Sequence, residues 1–298
     1  MAARYPPDGA VERGLVRVLA PNPSPMTEAG TNAYVLRDAG AALIVDPGPA
    51  DSFHLTALRA AVRGCDVAAI LVTHAHVDHS PGARPLARAL GAPVLAFGPP
   101  EAGRTDAMRG WAARGLGGGE GVETGFRPDR VLADGEAVPF GTTAVTALWT
   151  PGHMASHLAF DWPDRLLTLT GDVVMGWAST MISPPDGDLG QFLASMDRLA
   201  ALGDRTALPG HGAPVPDLAA RCRALHAHRL DRERALLDAL RRADTIPALT
   251  ADLYADTPPA LHPAAARNVL AHLLHLHAEG RVSARPEIGL DARWRRTD

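Results

Sequence analysis

The run Thr73-His74-Ala75-His76-Val77-Asp78-His79 places four metal-competent side chains within six positions, directly after the apolar run Ala68-Ala69-Ile70-Leu71-Val72. A short apolar run that closes on a turn reads as a core strand. The cluster therefore sits at a strand's C-terminal end, where open α/β sheets carry their sites. Neutral imidazoles and a carboxylate are donors that a borderline-soft divalent ion such as Zn2+ accepts. Histidines also serve as surface or hydrogen-bonded core residues, but three of them with an aspartate in this order point to a metal site.

Three further segments repeat the pattern. Thr142 to Leu148 is β-rich and leads into Trp149-Thr150-Pro151-Gly152-His153. Leu166 to Thr170 leads into Gly171-Asp172, and Thr206-Ala207-Leu208 into Pro209-Gly210-His211-Gly212. In each case an apolar strand ends in a Gly or Pro-Gly turn that projects one ligand at the sheet edge. Glycine permits the backbone angles and close approach such a turn needs. One Pro-Gly-His alone says little; four strand-end motifs in one chain make a ligand set.

The order His-x-His-x-Asp-His, Pro-Gly-His, Gly-Asp, Pro-Gly-His resembles the metallo-β-lactamase superfamily. That resemblance implies an αββα sandwich with a two-metal hydrolytic site along one edge of its two sheets. Carried over residue by residue, His74, His76 and His153 match the first metal's ligands. Asp78, His79 and His211 match the second metal's, and Asp172 matches the carboxylate that bridges them. Aspartate at 172 and histidine at 79 are similar to the two-metal hydrolases, not to the one-metal lactamases with cysteine at the site of Asp172, which argues against antibiotic hydrolysis as the main task. The turn Asp46-Pro47-Gly48-Pro49 corresponds to a family turn that shapes the site. Zinc is the default metal, and an all-N/O ligand set also suits iron or manganese.

Two divalent ions about 3.5–4 Å apart can share a hydroxide and bring the pKa of bound water toward about 7. Such a hydroxide attacks a carbonyl or phosphoryl centre while the metals hold the developing oxyanion. Two catalytic candidates stand beside the metals. Asp78 would also steer the nucleophile's proton, and His157 would polarise the substrate or protonate the leaving group. A structural histidine holding a loop is the alternative for His157. Substrate-pocket candidates are Asn32, in a Gly30-Thr31-Asn32 strand entry, and Trp177, Thr180 and Met181 after Asp172, with ordinary packing as their alternative.

Strands are expected near 15–20, 33–37 and 42–46, and helices over 52–63 and 80–90. Gly98 to Asp129, rich in Gly and Arg, reads as a long mobile loop, and Ser179 to Gly190 as a second surface loop. After His211 the pattern turns helical: Leu218 to Arg242, a short segment from Thr245, then Pro263 to Gly280 closing at its glycine. Val282 to Trp294 is expected to form a hairpin. Three helices and a hairpin resemble a winged-helix domain, and its place behind such a core resembles the superfamily branch containing beta-lactamase-like protein 2. The expected division is 1–217 for the hydrolase domain and 218–298 for the winged-helix-like domain. Relatives in that branch include a single-strand-specific endoribonuclease, and fungal relatives with similar motifs act as carrier-protein thioesterases.

Hydrophobic residues fill 46% of 298 positions, enough for a sizeable core and two domains. A net charge of −4 and a pI of about 6.3 exclude a global polycation. Met1 to Ala10 carries no apolar signal core, and no run of about 18 apolar residues occurs, so a cytoplasmic chain without membrane contact is expected. Cys65 and Cys222 read as reduced thiols. Lysine is absent and all 29 basic residues are arginine, a bias of GC-rich bacterial genomes. Leu218 to Asp298 holds 13 Arg against 10 acidic residues, a net of +3 against −7 for the remainder. That asymmetry does not demand a nucleic-acid partner, and no aromatic stacking platform accompanies it. His272, His275 and His277, read as lacking an acidic partner, sit within the leucine pattern of a packed helix. The domain is expected to pack beside the site, shape substrate entry and offer a homodimer surface.

Three functions fit. The first is hydrolysis of an ester or thioester of a small or carrier-bound acyl group. The second is cleavage of single-stranded nucleic acid, with Arg221, Arg223, Arg229, Arg293, Arg295 and Arg296 on phosphates. The third is a winged-helix binding module with a non-catalytic metal core. A flavodiiron-type oxidoreductase is disfavoured, since no flavin domain follows.

Overall fold

The computed structural model describes residues 11–12, 14–118 and 121–297. The opening segment Met1–Ala10 and Gly119 of the glycine run lie outside them. Seven strands form the first sheet: β1 (Val11–Glu12), β2 (Leu15–Leu19), β3 (Asn32–Asp38), β4 (Ala41–Val45), β5 (Asp66–Leu71), β6 (Val94–Ala96) and β7 (Arg130–Val131), neighbours in that order. Five form the second: β8 (Ala137–Phe140), β9 (Thr143–Trp149), β10 (Leu158–Trp162), β11 (Leu167–Gly171) and β12 (Thr206–Pro209).

Period-two alternation decides which side chains meet, because successive strand residues face opposite ways. Leu36, Leu43, Val45 and Leu71 from the first sheet pack against Val145, Phe160, Trp162 and Leu208 from the second. The intervening Val35, Ala42, Ile44 and Ile70 face outward onto Leu58 of helix α1 (Ser52–Ala61) and Leu86 of helix α2 (Ala83–Leu90). Strands buried on both faces explain the near-continuous apolar runs in the sequence. The outer face of the second sheet is covered by α4 (Leu189–Ala200) and the first half of α5 (Leu218–Ala239), through Phe192, Met196, Leu218 and Cys222. The layers are αββα, as expected. β4 runs parallel to β5, and β11 parallel to β12, so the turns after these strands open along one edge.

Helix ends differ slightly from the periodicity. The helix expected from 80 starts at Ala83, because the Ser80 hydroxyl and amide both donate to the His76 carbonyl in a turn. A larger correction concerns residues 98–129. They hold helix α3 (Asp106–Ala113), capped by Thr105, whose hydroxyl accepts the Met108 N–H at 3.3 Å. Its Met108, with Trp111 and Leu116, packs into the C-terminal core. The glycines hid a helix whose apolar face is completed far along the chain. Farther on, the Val77 N–H donates to Gly121 and the Glu123 N–H to Ala75, each at 2.8 Å, so this insertion pairs main chain to main chain with the histidine loop.

The second half of α5, α6 (Ile246–Leu253), α7 (His262–Ala278) and the hairpin β13 (Val282–Arg285) and β14 (Arg293–Arg296) share a core of Leu236, Leu249, Leu270, Leu273 and Trp294. This is the winged-helix arrangement anticipated. The histidines of α7 do have an acidic neighbour: Glu233 of α5 lies 2.7 Å from His275 Nδ1 and 3.7 Å from His272 Nδ1. Among the described residues no helix is long and apolar enough to cross a membrane.

Candidate metal centre

Five strand ends converge. Asp46 follows β4, Thr73–His79 follow β5, His153 follows β9, Asp172 follows β11 and His211 follows β12. Asp46, in a left-handed conformation at φ 49°, accepts the Thr73 N–H and the Thr73 hydroxyl, each at 2.7 Å. The hydroxyl proton is thereby committed, so at 2.9 Å Thr73 Oγ1 accepts from His74 Nδ1. His79 Nδ1 donates to Asp46 at 3.0 Å, His153 Nδ1 to the Met181 carbonyl at 2.7 Å, and His211 Nδ1 to the Gly30 carbonyl at 3.2 Å. Each outer nitrogen carries a proton, and each Nε2 faces inward, where a cation could take its lone pair.

The inward atoms lie too close for neutral acceptors left to themselves. His76 Nδ1 stands 2.9 Å from His74 Nε2 and 3.1 Å from His153 Nε2. His79 Nε2 stands 3.3 Å from His211 Nε2, and Asp78 Oδ2 lies 3.5 Å and 3.2 Å from those two. Donors about 2.1 Å from a tetrahedral zinc would stand about 3.4 Å apart. Asp172 reaches both groups, 3.9 Å from His74 and 3.8 Å from His153 on one side, 3.4 Å from His79 and 3.3 Å from His211 on the other. Its Oδ1 is a buried acceptor without a hydrogen-bond donor. Ligand atoms of His74, His76, His153 and Asp172 lie close enough together to hold one cation, those of Asp78, His79 and His211 to hold another, and Asp172 also lies against the second group.

Electrostatics agree with a cation-seeking cluster. Burial, then the neighbouring His153, pushes His76 down to about 3. Burial opposes charge at His211 too, but Asp172 and Asp78 outweigh it and push that imidazole up to about 10. Burial likewise opposes charge at Asp78, yet His79 and His211 hold it down at about 2. The carboxylates hold protons on the second histidine group, and a bound cation would take their place. Glycine makes the crowding feasible: a Cβ on Gly210 would stand 2.6 Å from His79 Cε1 and closer still to Asp172 Oδ1.

Several pocket assignments need correction. His157 is wholly buried, its Nε2 accepting the Asp172 N–H at 3.3 Å and its Nδ1 donating to Thr150 Oγ1 at 3.0 Å. It holds the main chain of Asp172, and burial holds it well below the ordinary range, which favours the neutral ring. Asn32 is buried, and its amide donates to the Pro209 and Gly212 carbonyls at 3.0 and 2.9 Å, tying down the His211 turn. Thr180 is buried and donates to the Asp172 carbonyl, while Met181 contributes its main-chain oxygen to His153. Trp177, 43% exposed and close to Gly212, stands at the rim. Thr73, Gly30 and Thr31, whose hydroxyl is 3.4 Å from Asp78, were not singled out from sequence because such supports carry no local pattern.

The arginines proposed for phosphate contact are partly committed elsewhere. Arg229 is 2% exposed and donates to Thr180 O; Arg221 donates to Met175 O at 2.7 Å and Ala178 O at 2.8 Å; Arg293 pairs with Asp244 at 2.7 Å.

Comparison with known proteins gives a consistent picture. A family model described as the metallo-beta-lactamase superfamily matches residues 26–211, and one for the beta-lactamase associated winged helix domain matches residues 245–294. An atrochrysone carboxyl ACP thioesterase of Aspergillus fumigatus is 29% identical, over 76% of this chain and 64% of its own length, just under two-thirds. A beta-lactamase-like protein 2 homolog of Caenorhabditis elegans is 26% identical over 90% of this chain and 85% of its own. The crystal structure of a metallo-beta-lactamase family protein from Thermus thermophilus superposes with a TM-score of 0.76 at 30% identity, covering 96% of this chain and 100% of that one.

Proposed function

Because the chain belongs to the metallo-beta-lactamase superfamily, and its site is a doubled set of inward-facing ligand atoms joined by one carboxylate, we propose that it is a two-metal hydrolase acting on an ester or thioester of a small or carrier-bound acyl group. The observation that carries the reading is the reach of Asp172 into both histidine groups. Zinc is the metal proposed, and two such ions would supply an activated water and an electrophilic cradle for the carbonyl oxygen. The protein's own part is orientation. Asp46, Thr73, Gly30 and the Met181 carbonyl fix the imidazole tautomers, and His157 fixes Asp172. Asp78, with 23% of its side chain exposed, is the most open acid of the set and is placed to take the proton of the attacking water.

An acyl substrate is supported by the rim. Val77, in the histidine loop, is 50% exposed, and Trp177 is 43% exposed on the neighbouring turn. Large apolar side chains left in water beside a polar site suit an acyl chain. The relative named as an acyl carrier protein thioesterase points the same way. The nuclease reading loses support through the inward commitments of Arg221 and Arg229 and the surface ion pair of Arg293 with Asp244. Two free thiols go with a cytoplasmic setting, and 217/218 is the working domain boundary.

The test is turnover of acyl thioesters and of single-stranded RNA by one metal-quantified preparation, with His74→Ala carried through the same purification. Thioester hydrolysis lost in the variant supports the proposal. RNA cleavage lost in the variant, without thioester turnover, replaces it with the nuclease reading. Metal binding with neither activity leaves the binding-module reading.

A further inference from the structure

The C-terminal domain reaches the metal centre through one short strand of main chain, residues 180–184. The Met181 carbonyl accepts from His153 Nδ1 at 2.7 Å, and the Thr180 hydroxyl donates to the Asp172 carbonyl. This segment therefore touches two ligand residues at once, on different loops. It has no ladder partner of its own. Three of its main-chain groups are held by side chains from α5 and α7. Arg229 of α5 donates to the Thr180 carbonyl, and the Ile182 N–H donates to Asn268 Oδ1 of α7 at 3.0 Å. Arg229 Nη1 also lies 3.4 Å from that same Asn268 oxygen, so the two side chains brace each other across the segment. One residue farther out, Arg267 donates to Ser183 Oγ at 2.8 Å and to the Pro184 carbonyl. Met181 thus sits between two clamped neighbours, with its carbonyl aimed at His153.

Arg229 is a costly way to make a mere domain contact. It is 2% exposed, ion-pairs with no carboxylate among the described residues, and is bound by carbonyl and amide oxygens with Phe192 5.3 Å beneath its guanidinium. Burial drags it down to about 10. Where only packing matters, an apolar side chain of similar volume serves as well or better. A planar fork of fixed donors is suited to holding a carbonyl in one orientation.

We propose that Arg229 and Asn268 are positioning residues for the metal centre: they clamp Thr180 and Ile182 so that the Met181 carbonyl fixes the tautomer and direction of His153. The winged-helix domain is then part of the outer support of the metal site. This inference rests on the metal-hydrolase reading above and names which residues of the second domain serve it.

The experiment is cobalt(II) titration of the full chain, stripped of metal, against a chromophoric chelator, with the visible absorption of bound cobalt recorded alongside circular dichroism. Arg229→Met and Asn268→Ala should each weaken cobalt binding on the order of 10- to 100-fold and alter the cobalt spectrum. Asn268→Asp, which keeps an acceptor for the Ile182 N–H, should restore most of both. Leu274→Ala, a cut in the C-terminal core away from the clamp, should lower the melting temperature and leave the cobalt affinity and spectrum as they were. Should Arg229→Met fail to fold, Asn268→Ala and its aspartate partner carry the test. Folded variants with native affinity and spectrum would overturn the clamp, as would a Leu274→Ala protein that loses affinity equally. A native chain that binds no cobalt would overturn the metal reading, and the clamp with it.

Discussion

Gly210 offers a perturbation whose size can be worked from the structure. It lies between Pro209 and His211, and its backbone is outside the left-handed region that only glycine favours. Alanine is therefore conformationally acceptable, and such a change by itself stabilises a protein by about 0.4–1 kcal/mol through its unfolded state. The difficulty is steric and local. The new methyl would stand 2.6 Å from His79 Cε1 and closer to Asp172 Oδ1. Carbon atoms settle at roughly 3.5 Å, so the imidazole must retreat by about 1 Å, and the carboxylate by no less. Neither moves freely: His79 is tethered to Asp46 at 3.0 Å, and His157 holds the main chain of the buried Asp172. A displacement of about 1 Å in a reacting constellation costs on the order of 100-fold in rate. Overpacking of this kind costs about 1–3 kcal/mol, more than the unfolded-state gain, so Gly210→Ala should fold with a lowered melting temperature and lose about 100-fold in kcat/KM. Gly125→Ala, where a methyl meets nothing within 4 Å, is the control. Undiminished turnover in Gly210→Ala would refute the placement of His79 and Asp172 in the catalytic centre.

Asp46→Ala strips His79 Nδ1 and both Thr73 donors of their acceptor, and should weaken metal binding on the order of 10- to 100-fold in a chelator competition, with smaller loss for Asp46→Asn. His272 supplies a pH prediction away from the metals. Burial pushes it down to about 4 from an ordinary 6.5. The unfolded chain therefore binds a proton that the folded chain refuses between those values, and stability falls as pH drops through that window. The loss approaches about 3 kcal/mol at about 1.4 kcal/mol per unit. Glu233, held near 2 by the α7 histidines despite its burial, adds a further loss below its ordinary 4.5. Urea melts from pH 7 to pH 5 should show the native chain losing stability faster than His272→Leu; parallel slopes would contradict the assignment.

What could be read in advance follows from where the information lies. His74, His76, Asp78, His79, His153, Asp172 and His211 each close an apolar strand, so a local pattern marks both the element and the ligand. The outer supports have no such mark. Thr73 finds Asp46 across two neighbouring parallel strands, and the acceptor for His153 is the Met181 carbonyl, a group every residue carries. His157 resembled a second catalytic imidazole because it lies four residues beyond a ligand, yet its loop turns it inward behind Asp172. Arg229 looked like one of many solvated arginines on a long helix, and only the meeting of α5 with the Thr180 segment buries it. Helix α3 escaped notice because its apolar face is short and its complement comes from α5, α6 and α7.

That last pairing sets an order on the birth of the molecule. Domains generally fold from the N-terminus as the chain emerges, and the sandwich, through β12, has all its strands once residue 209 is made. At that moment Met108, Trp111 and Leu116 still lack the surface they cover, which ends with Trp294. The insertion that lies along the histidine loop therefore gains its anchor among the last residues synthesised. A chain broken off between the two leaves an oily face beside a half-supported metal loop, so the damage of a truncation would be felt as stickiness and early degradation before it was felt as lost catalysis.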